Sequence, residues 1–335
     1  MESVVFEWLR TPPYTRIHRR LRPLIMLFKL MVPSMSYTKI RRTVVEATET
    51  LLKGELGRIW MRDRCVRRTI RVYGANDQRT DQWHAKRGEM ITASEVSDVF
   101  VGGESRRRVI LRKLEPPSTS ASASVPALIW GTRFEPIAKS LYEEETQCTI
   151  TDVSCVQHPV YPFLGASPDG IIFPNDRSFS NQHRIGRLIE FKCPISRPES
   201  AGIPDAYVHQ MQLQMECTGI DECEYVEFRF KQVFSSEWVR SSNTKGVFAV
   251  FDSGRVEYKP MTMDLADWQR HLKEEPQFIY WIILSTKKAF LSKDPQWLPK
   301  HLDELKSTWN EVLLHRAAGT LPPSTTTPKV VTLDI

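Results

Sequence analysis

The chain has no C-x-x-C pair. Its six cysteines, Cys65, Cys148, Cys155, Cys193, Cys217 and Cys223, fall at irregular intervals along 335 residues. That scatter speaks against zinc sites, iron–sulfur clusters and a disulfide framework. It predicts reduced thiols in a soluble intracellular protein, nuclear or cytoplasmic. Histidine pairs at ligand spacing are missing too, so His84, His158 and His209 read as ordinary surface or core side chains. Long apolar runs are absent. Residues 24–32 form the only membrane-like stretch, Lys29 interrupts it, and a bilayer needs about 20 apolar residues. Arg16, Arg19, Arg20 and Arg22 before it imitate the start of a signal peptide, but no small-residue cleavage site follows. No internal repeat is visible.

What is present is an ordinary globular composition, 41% hydrophobic and 26% charged. A net charge of +6 suits a polyanionic partner without identifying one. Residues 1–78 are rich in arginine and poor in acids, and residues 37–71 have helical spacing through Ile40, Val44, Leu51, Leu52, Leu56 and Ile59. This region reads either as a basic, partly helical extension facing DNA or as a solvated appendage. From Trp83 the texture alternates between helix-like and strand-like runs. Residues 116–126 read as a surface loop, and residues 164–173 and 186–193 as two short strands joined by a polar loop. Residues 206–215 read as a helix, 224–233 and 247–258 as strands, and 265–313 as helix with Trp268, Trp281, Trp297 and Trp309 in a core. Residues 321–335, rich in Pro and Thr, read as a disordered tail.

The chemistry concentrates in Ser167-Pro168-Asp169-Gly170 and Glu190-Phe191-Lys192. Side chains alternate faces along a strand, so Glu190 and Lys192 point one way while Phe191 and Cys193 point the other. Asp169 stands at the start of the preceding strand, where a hairpin can bring its carboxylate beside Glu190. Two carboxylates and the main-chain carbonyl of Phe191 would make a hard, all-oxygen site suited to Mg²⁺ or Mn²⁺. A metal there can activate water and stabilise charge on a phosphodiester. Lys192 can position or deprotonate that water, with a pKa open to depression by the metal.

Trp83-His84-Ala85-Lys86-Arg87-Gly88-Glu89-Met90-Ile91-Thr92-Ala93-Ser94-Glu95-Val96 and Trp130-Gly131-Thr132-Arg133-Phe134-Glu135-Pro136-Ile137-Ala138 stand upstream of these. Glu190-Phe191-Lys192-Cys193-Pro194 and Tyr207-Val208-His209-Gln210-Met211-Gln212 continue the series. Together with Ser167-Pro168-Asp169-Gly170, these segments resemble, in order, the motifs of the lambda exonuclease and YqaJ-type viral recombinase family, over about residues 80 to 235. The resemblance implies a PD-(D/E)XK nuclease fold, an α/β (α+β) core with a mixed central sheet flanked by helices. It implies a domain at residues 79–320, between the basic extension (1–78) and the tail.

By the same resemblance Asp169 and Glu190 are metal ligands, Lys192 the catalytic lysine, Glu135 a further acid near the metal, directly or through water, and Gln210 the active-site glutamine. Thr132 and Glu135 also read as a helix capping box with Pro136 near the helix start. Arg87, Ser94 and Ser167 match the positions that hold a terminal 5′-phosphate, a seat that would make a nuclease a 5′-to-3′ exonuclease. Glu89 beside them would weaken that seat if it turned inward. Tyr207, Gln212 and Gln214 read as scaffold. The implied activity is Mg²⁺-dependent digestion of one strand of duplex DNA from a free 5′-phosphorylated end, in recombination, repair or viral DNA processing. The implied companion is a single-strand annealing protein, and the origin a virus or mobile element. The residues leave homo-oligomerisation open. A structure-specific or nicking endonuclease on the same fold, and a catalytically silent DNA-binding protein, are the alternatives.

Overall fold

The structure, a computed structural model, describes residues 2–9, 17–74, 78–115, 126–174, 184–196 and 202–323. Most of the loop at 116–126, the polar loop after residue 174 and most of the tail from 321 lie outside them.

The N-terminal region holds α1 (Glu2–Leu9), α2 (Ile17–Met31), α3 (Tyr37–Leu52) and α4 (Glu55–Tyr73). The helical spacing anticipated for residues 37–71 is therefore two helices, with Gly54 in extended backbone as the N-cap of the second. Helices α1 to α3 bury Val5, Leu9, Leu24, Ile40 and Val44 in a small core of their own. Helix α4 instead docks on the main body. Val66 packs among Ile171, Leu188, Met211 and Met215, and the buried Arg62 pairs with Asp221 at 2.6 Å and Glu222 at 2.9 Å. A buried arginine needs such partners, because an uncompensated charge there is costly.

There follow α5 (Asp81–Gly88), β1 (Ile91–Thr92), a short 3-10 turn at Ala93–Glu95, α6 (Val96–Val101), α7 (Gly103–Leu114) and α8 (Pro126–Thr146). The strands β2 (Cys148–Thr151), β3 (Val156–Gln157), β4 (Leu164–Ala166), β5 (Gly170–Pro174) and β6 (Leu188–Lys192) lead to α9 (Asp205–Thr218). After it come β7 (Glu222–Val233), α10 (Ser235–Arg240), β8 (Lys245–Val250), β9 (Val256–Tyr258), α11 (Leu265–His271), β10 (Gln277–Ser292) and α12 (Trp297–Ala318).

The main sheet has the order β2-β5-β6-β7-β10-β8-β9, and a small sheet the order β1-β4-β3. In the main sheet β6 and β7 run parallel and the other neighbours antiparallel. This is the mixed sheet flanked by helices that the motifs implied. Residues 164–173 do not form one strand: β4 belongs to the small sheet and β5 to the large one, with Ser167-Pro168-Asp169 crossing between them.

The stretch read as continuous helix at 265–313 is helix only at its ends. Residues 277–292 form β10, which runs antiparallel to both β7 and β8 near the middle of the sheet. Phe278, Ile279, Tyr280, Trp281, Ile282 and Ile283 are β-branched or aromatic, types that fit a pleated, two-sided surface better than a helix. The four tryptophans are buried as anticipated.

The two faces of β6 explain how the core is divided. Ile189 and Phe191 join Phe134, Ile137 and Tyr142 of α8, while Leu188 packs with Met211 and Met215 of α9. Glu190 and Lys192 share the α9 face with Leu188, at the open end of the strand.

Packing is close where β8 meets β10. Gly246 pairs with Trp281, and a Cβ there would sit 2.2 Å from the buried indole ring. Gly246→Ala should therefore cost about 2–3 kcal/mol, since a rigid ring on a packed sheet cannot give way. Urea unfolding of the two proteins measures it; an unchanged midpoint would show that the strand pair has slack. All six cysteines are free thiols. Among the described residues, no helix is long and apolar enough to cross a membrane.

Candidate active site

Glu190 is 1% exposed, which a carboxylate tolerates only when its oxygens are well served. Here Oε1 accepts from Lys192 Nζ at 2.5 Å and Gln210 Nε2 at 2.6 Å, and Oε2 accepts from Gln214 Nε2 at 2.6 Å. Gln210 and Gln214 lie four residues apart on α9, so both side chains reach the same spot on β6. The Oε1 of Gln210 also accepts from Lys192 at 3.1 Å, and the Tyr207 ring lies 4.6 Å from the ammonium. Lys192 and Glu190 thus project from one face, as alternation along the strand requires, while Phe191 and Cys193 pack on the α8 side.

Asp169 is brought to the same place by the crossing from β4 to β5. Its Oδ2 accepts the backbone N–H of Phe191 at 2.7 Å, the residue between Glu190 and Lys192. The N–H and C=O of one strand residue point to the same side. The carbonyl of Phe191 therefore faces the Asp169 side, where the ladder between β5 and β6 has ended at Gly170 and Ile189. On its other side β5 lies close against β2, since a Cβ at Gly170 would lie 2.2 Å from Ile150.

Asp169, Phe191 and Glu135 line a cavity of about 310 Å³ together with Gln78, Arg79, Lys139 and Asp152. Glu135 comes from α8, on the other face of the sheet, and pairs with Arg79 at 2.8 Å. The capping-box reading of Thr132 and Glu135 does not hold. Helix α8 begins at Pro126, so Glu135 and Pro136 sit inside it.

The charges decide what such a site can hold. Burial, and then the neighbouring charges of Glu190 and Glu135, push the Asp169 carboxyl well above the usual carboxylate range. Burial also raises Glu135, against the pull of Arg79. For Lys192 burial acts downward, but the carboxylates of Glu190 and Asp169 outweigh it and hold the ammonium above its ordinary value. Lys192 is thus an ammonium that donates to Glu190 and Gln210.

Among the described residues no three acidic, His or Cys side chains form a ready-made metal cage. The donor set nonetheless fits a hard divalent ion. Crowding of Asp169, Glu190 and Glu135 leaves a deficit of positive charge, and every donor is oxygen. Asp169, Glu190 and the Phe191 carbonyl could hold the ion, with Glu135 near enough to act directly or through water.

A second cluster adjoins the first through Ser167. Arg87 at the end of α5 donates to Ser94 at 3.0 Å, Thr92 at 3.2 Å and Ser167 at 3.4 Å. Its guanidinium lies 4.4 Å over the Trp83 ring, and the indole N–H donates to Ser167 at 3.1 Å. All three residues matched to the anion seat are therefore together, on a flat aromatic base. Glu89 does not enter it, because it is exposed and paired with Arg316 at 2.8 Å.

Several contributors were not read from the sequence. Gln214, anticipated as scaffold, holds Glu190 directly; its spacing from Gln210 was the available signal. Gln78 donates to Val153 at 2.7 Å and to Pro168 at 3.0 Å, pinning the segment that carries Asp169. Lys139 and Asp152 pair at 2.5 Å in the cavity wall, and no local pattern announces them. Gln212 is scaffold, bonded to the backbone of Ser292 and Asp294. The histidines stand apart: His84 packs edge-on to Trp83, His209 accepts from Trp297, and His158 accepts from the N–H groups of Val160 and Tyr161. Burial pushes His158 down to about 4.

Residues 82–221 match the model of the YqaJ-like viral recombinase domain. Over 175 residues the chain is 26% identical to an uncharacterized protein of Acanthamoeba polyphaga mimivirus, covering 50% of this chain and 32% of that one. It is 27% identical over 154 residues to a protein of African swine fever virus, covering 40% and 44%. The chain thus spans less than half the length of these relatives. Similar solved structures include an alkaline exonuclease from Laribacter hongkongensis, at TM-score 0.44 and 22% identity, over 71% of this chain and 95% of that one. A phage-related exonuclease from Haemophilus somnus gives TM-score 0.38 and 11% identity, over 69% and 96%.

Proposed function

We propose that this chain, with its match to the YqaJ-like viral recombinase domain, is a divalent-metal-dependent DNA exonuclease working 5′ to 3′ from a phosphorylated end. The observation that carries the reading is the junction of two clusters. Asp169, Glu190, Lys192 and Gln210 converge at the end of β6, and Arg87, Ser94 and Ser167 gather two residues upstream of Asp169. Residues 79–320 are taken as the nuclease domain.

In this reading Asp169, Glu190 and the Phe191 carbonyl hold Mg²⁺ or Mn²⁺, with Glu135 alongside. When bound, such an ion supplies charge for the phosphodiester and lowers the pKa of a coordinated water. Lys192, which donates to Glu190 and Gln210, would turn the same side chain toward the attacking water or a phosphate oxygen. Gln210 fixes Lys192 and Glu190 relative to each other, and as a neutral amide it adds no charge to a crowded site. Gln214 holds the second oxygen of Glu190. A terminal phosphate would take over the hydrogen bonds that Arg87 now gives to Ser94, Thr92 and Ser167, a fork-shaped recognition that lysine cannot copy. An internal phosphodiester is bridged on both sides and fits such a seat poorly. The natural partner is linear duplex DNA, and the product is single strand that an annealing protein can use.

The test is digestion of end-labelled linear duplexes bearing 5′-phosphate or 5′-hydroxyl, beside closed circles, with Mg²⁺, with Mn²⁺ and with chelator. Metal-dependent shortening of the phosphorylated duplex, with circles untouched, is the expected result. Cutting of circles would favour an endonuclease. No cleavage under any condition would favour a silent DNA-binding protein.

A further inference from the structure

Among the described residues only Arg79 and Gln147 combine a side chain with a left-handed backbone. Gln147 follows the last residue of α8, where helices commonly end that way. Arg79 has no such reason. Its φ is +72°, the described helix before it ends at Tyr73, and Thr80 after it caps the start of α5. Neighbours hold it in place. Gln78 is tied to Val153 and Pro168, and Thr80 accepts from the N–H groups of Trp83 and His84. A backbone in that region is strained for any residue with a Cβ, and such strain concentrates at working sites.

The effect is to set a guanidinium at the mouth of the cavity that Asp169 and Phe191 line. The other cations there are engaged with acids of their own, Lys139 with Asp152 and Lys192 with Glu190. Arg79 is left to Glu135, with 47% of its side chain exposed. A pair this open to water contributes little and exchanges readily.

We infer that Arg79 is a two-position cation: it neutralises Glu135 in the free protein and moves to the non-bridging oxygens of the phosphodiester when DNA enters. This rests on the nuclease reading and adds to it a residue outside the motifs. Two things follow from the geometry. A divalent ion and the guanidinium compete for the same carboxylate, so Arg79 weakens metal binding in the absence of DNA. Once the phosphate arrives, the displaced guanidinium finds a planar anion that its fork matches.

Arg79→Gly in the full chain is the informative change, because glycine takes this backbone without strain. Its thermal midpoint should equal or exceed that of the wild type. Mg²⁺ titrated calorimetrically without DNA should bind several-fold tighter. Cleavage of 5′-phosphorylated duplex at saturating Mg²⁺ should fall about 10²-fold, the usual effect of losing one charge-stabilising donor. In a Glu135→Gln background the gain in Mg²⁺ affinity should vanish, since the competition is for that carboxylate. Weaker or unchanged Mg²⁺ binding, a lower midpoint, or undiminished cleavage would each overturn the inference. A wild type that binds Mg²⁺ yet cleaves nothing removes the nuclease reading and the phosphate half of the inference with it. The calorimetric arm still decides the competition at Glu135.

Discussion

Glu190→Gln should cut phosphorylated duplex at least about 10³-fold more slowly than the wild type while binding it almost as well. The side chain is nearly the same size, so the loss is one of charge and hydrogen-bond sense. Three donors, from Lys192, Gln210 and Gln214, now converge on two acceptor oxygens. An amide offers one oxygen and one NH₂, so at least one donor must face another donor. Lys192 also loses its nearest anion and keeps the Gln210 oxygen, the Tyr207 ring and the charge of Asp169. The fold should lose on the order of 1–3 kcal/mol from the unsatisfied donor, partly offset because Asp169 no longer faces a second buried charge. DNA affinity should survive, because binding to duplex DNA comes chiefly from many phosphate contacts rather than from one buried carboxylate. Single-turnover cleavage and fluorescence anisotropy in chelator read the two quantities separately. Wild-type cleavage by the variant would remove Glu190 from the chemistry.

The second large effect belongs to Arg87. In Arg87→Ala the ratio of kcat/KM for 5′-phosphate over 5′-hydroxyl ends should collapse from a large preference to near one. A charged, forked contact to a terminal phosphate contributes about 2–4 kcal/mol, which is roughly 30- to 10³-fold in that ratio. Ser94, Thr92 and Ser167 remain, but neutral hydroxyls hold a dianion far less well. Arg87→Lys should recover only part of the preference, since the ammonium cannot span the three hydroxyls and loses its flat packing on Trp83. The ratio, rather than the rate, is the measurement, because general damage lowers both substrates alike. An unchanged ratio in the alanine variant would place end recognition elsewhere.

The parts of the site that could be read from the sequence are those governed by short-range geometry. Strand alternation put Glu190 and Lys192 on one face, and Ser167-Pro168-Asp169-Gly170 announced a turn that delivers a carboxylate to the neighbouring strand. Arg87 and Ser94 share one segment and Ser167 lies in another, and only their likeness to known motifs joined them. What failed did so for identifiable reasons. The reading of Thr132 and Glu135 as a cap assumed that α8 begins nearby, yet it begins at Pro126, inside a stretch taken for loop. The run around Trp281 is apolar on both faces, so period alone could not separate strand from helix. Pairing with β7 and β8 decides it. Gln214 was read as scaffold, although its four-residue spacing from Gln210 sets both amides on one helix face, toward Glu190. Arg79 carries no local mark at all, since a left-handed backbone at an arginine is imposed by the contacts around it.

The position of β10 bears on how the protein can be dissected. The stretch matched to the recombinase domain ends at residue 221, one residue before β7 begins. A fragment trimmed to that boundary keeps every acid and lysine of the site but strips β6 of its parallel neighbour, and with it the rest of the sheet toward β9. Ile189 and Phe191 would lose Val226, Phe228 and Trp281, and the bare edge of β6 would invite pairing between chains. Such a minimal piece would clump before it could be assayed, and its silence would say nothing about chemistry.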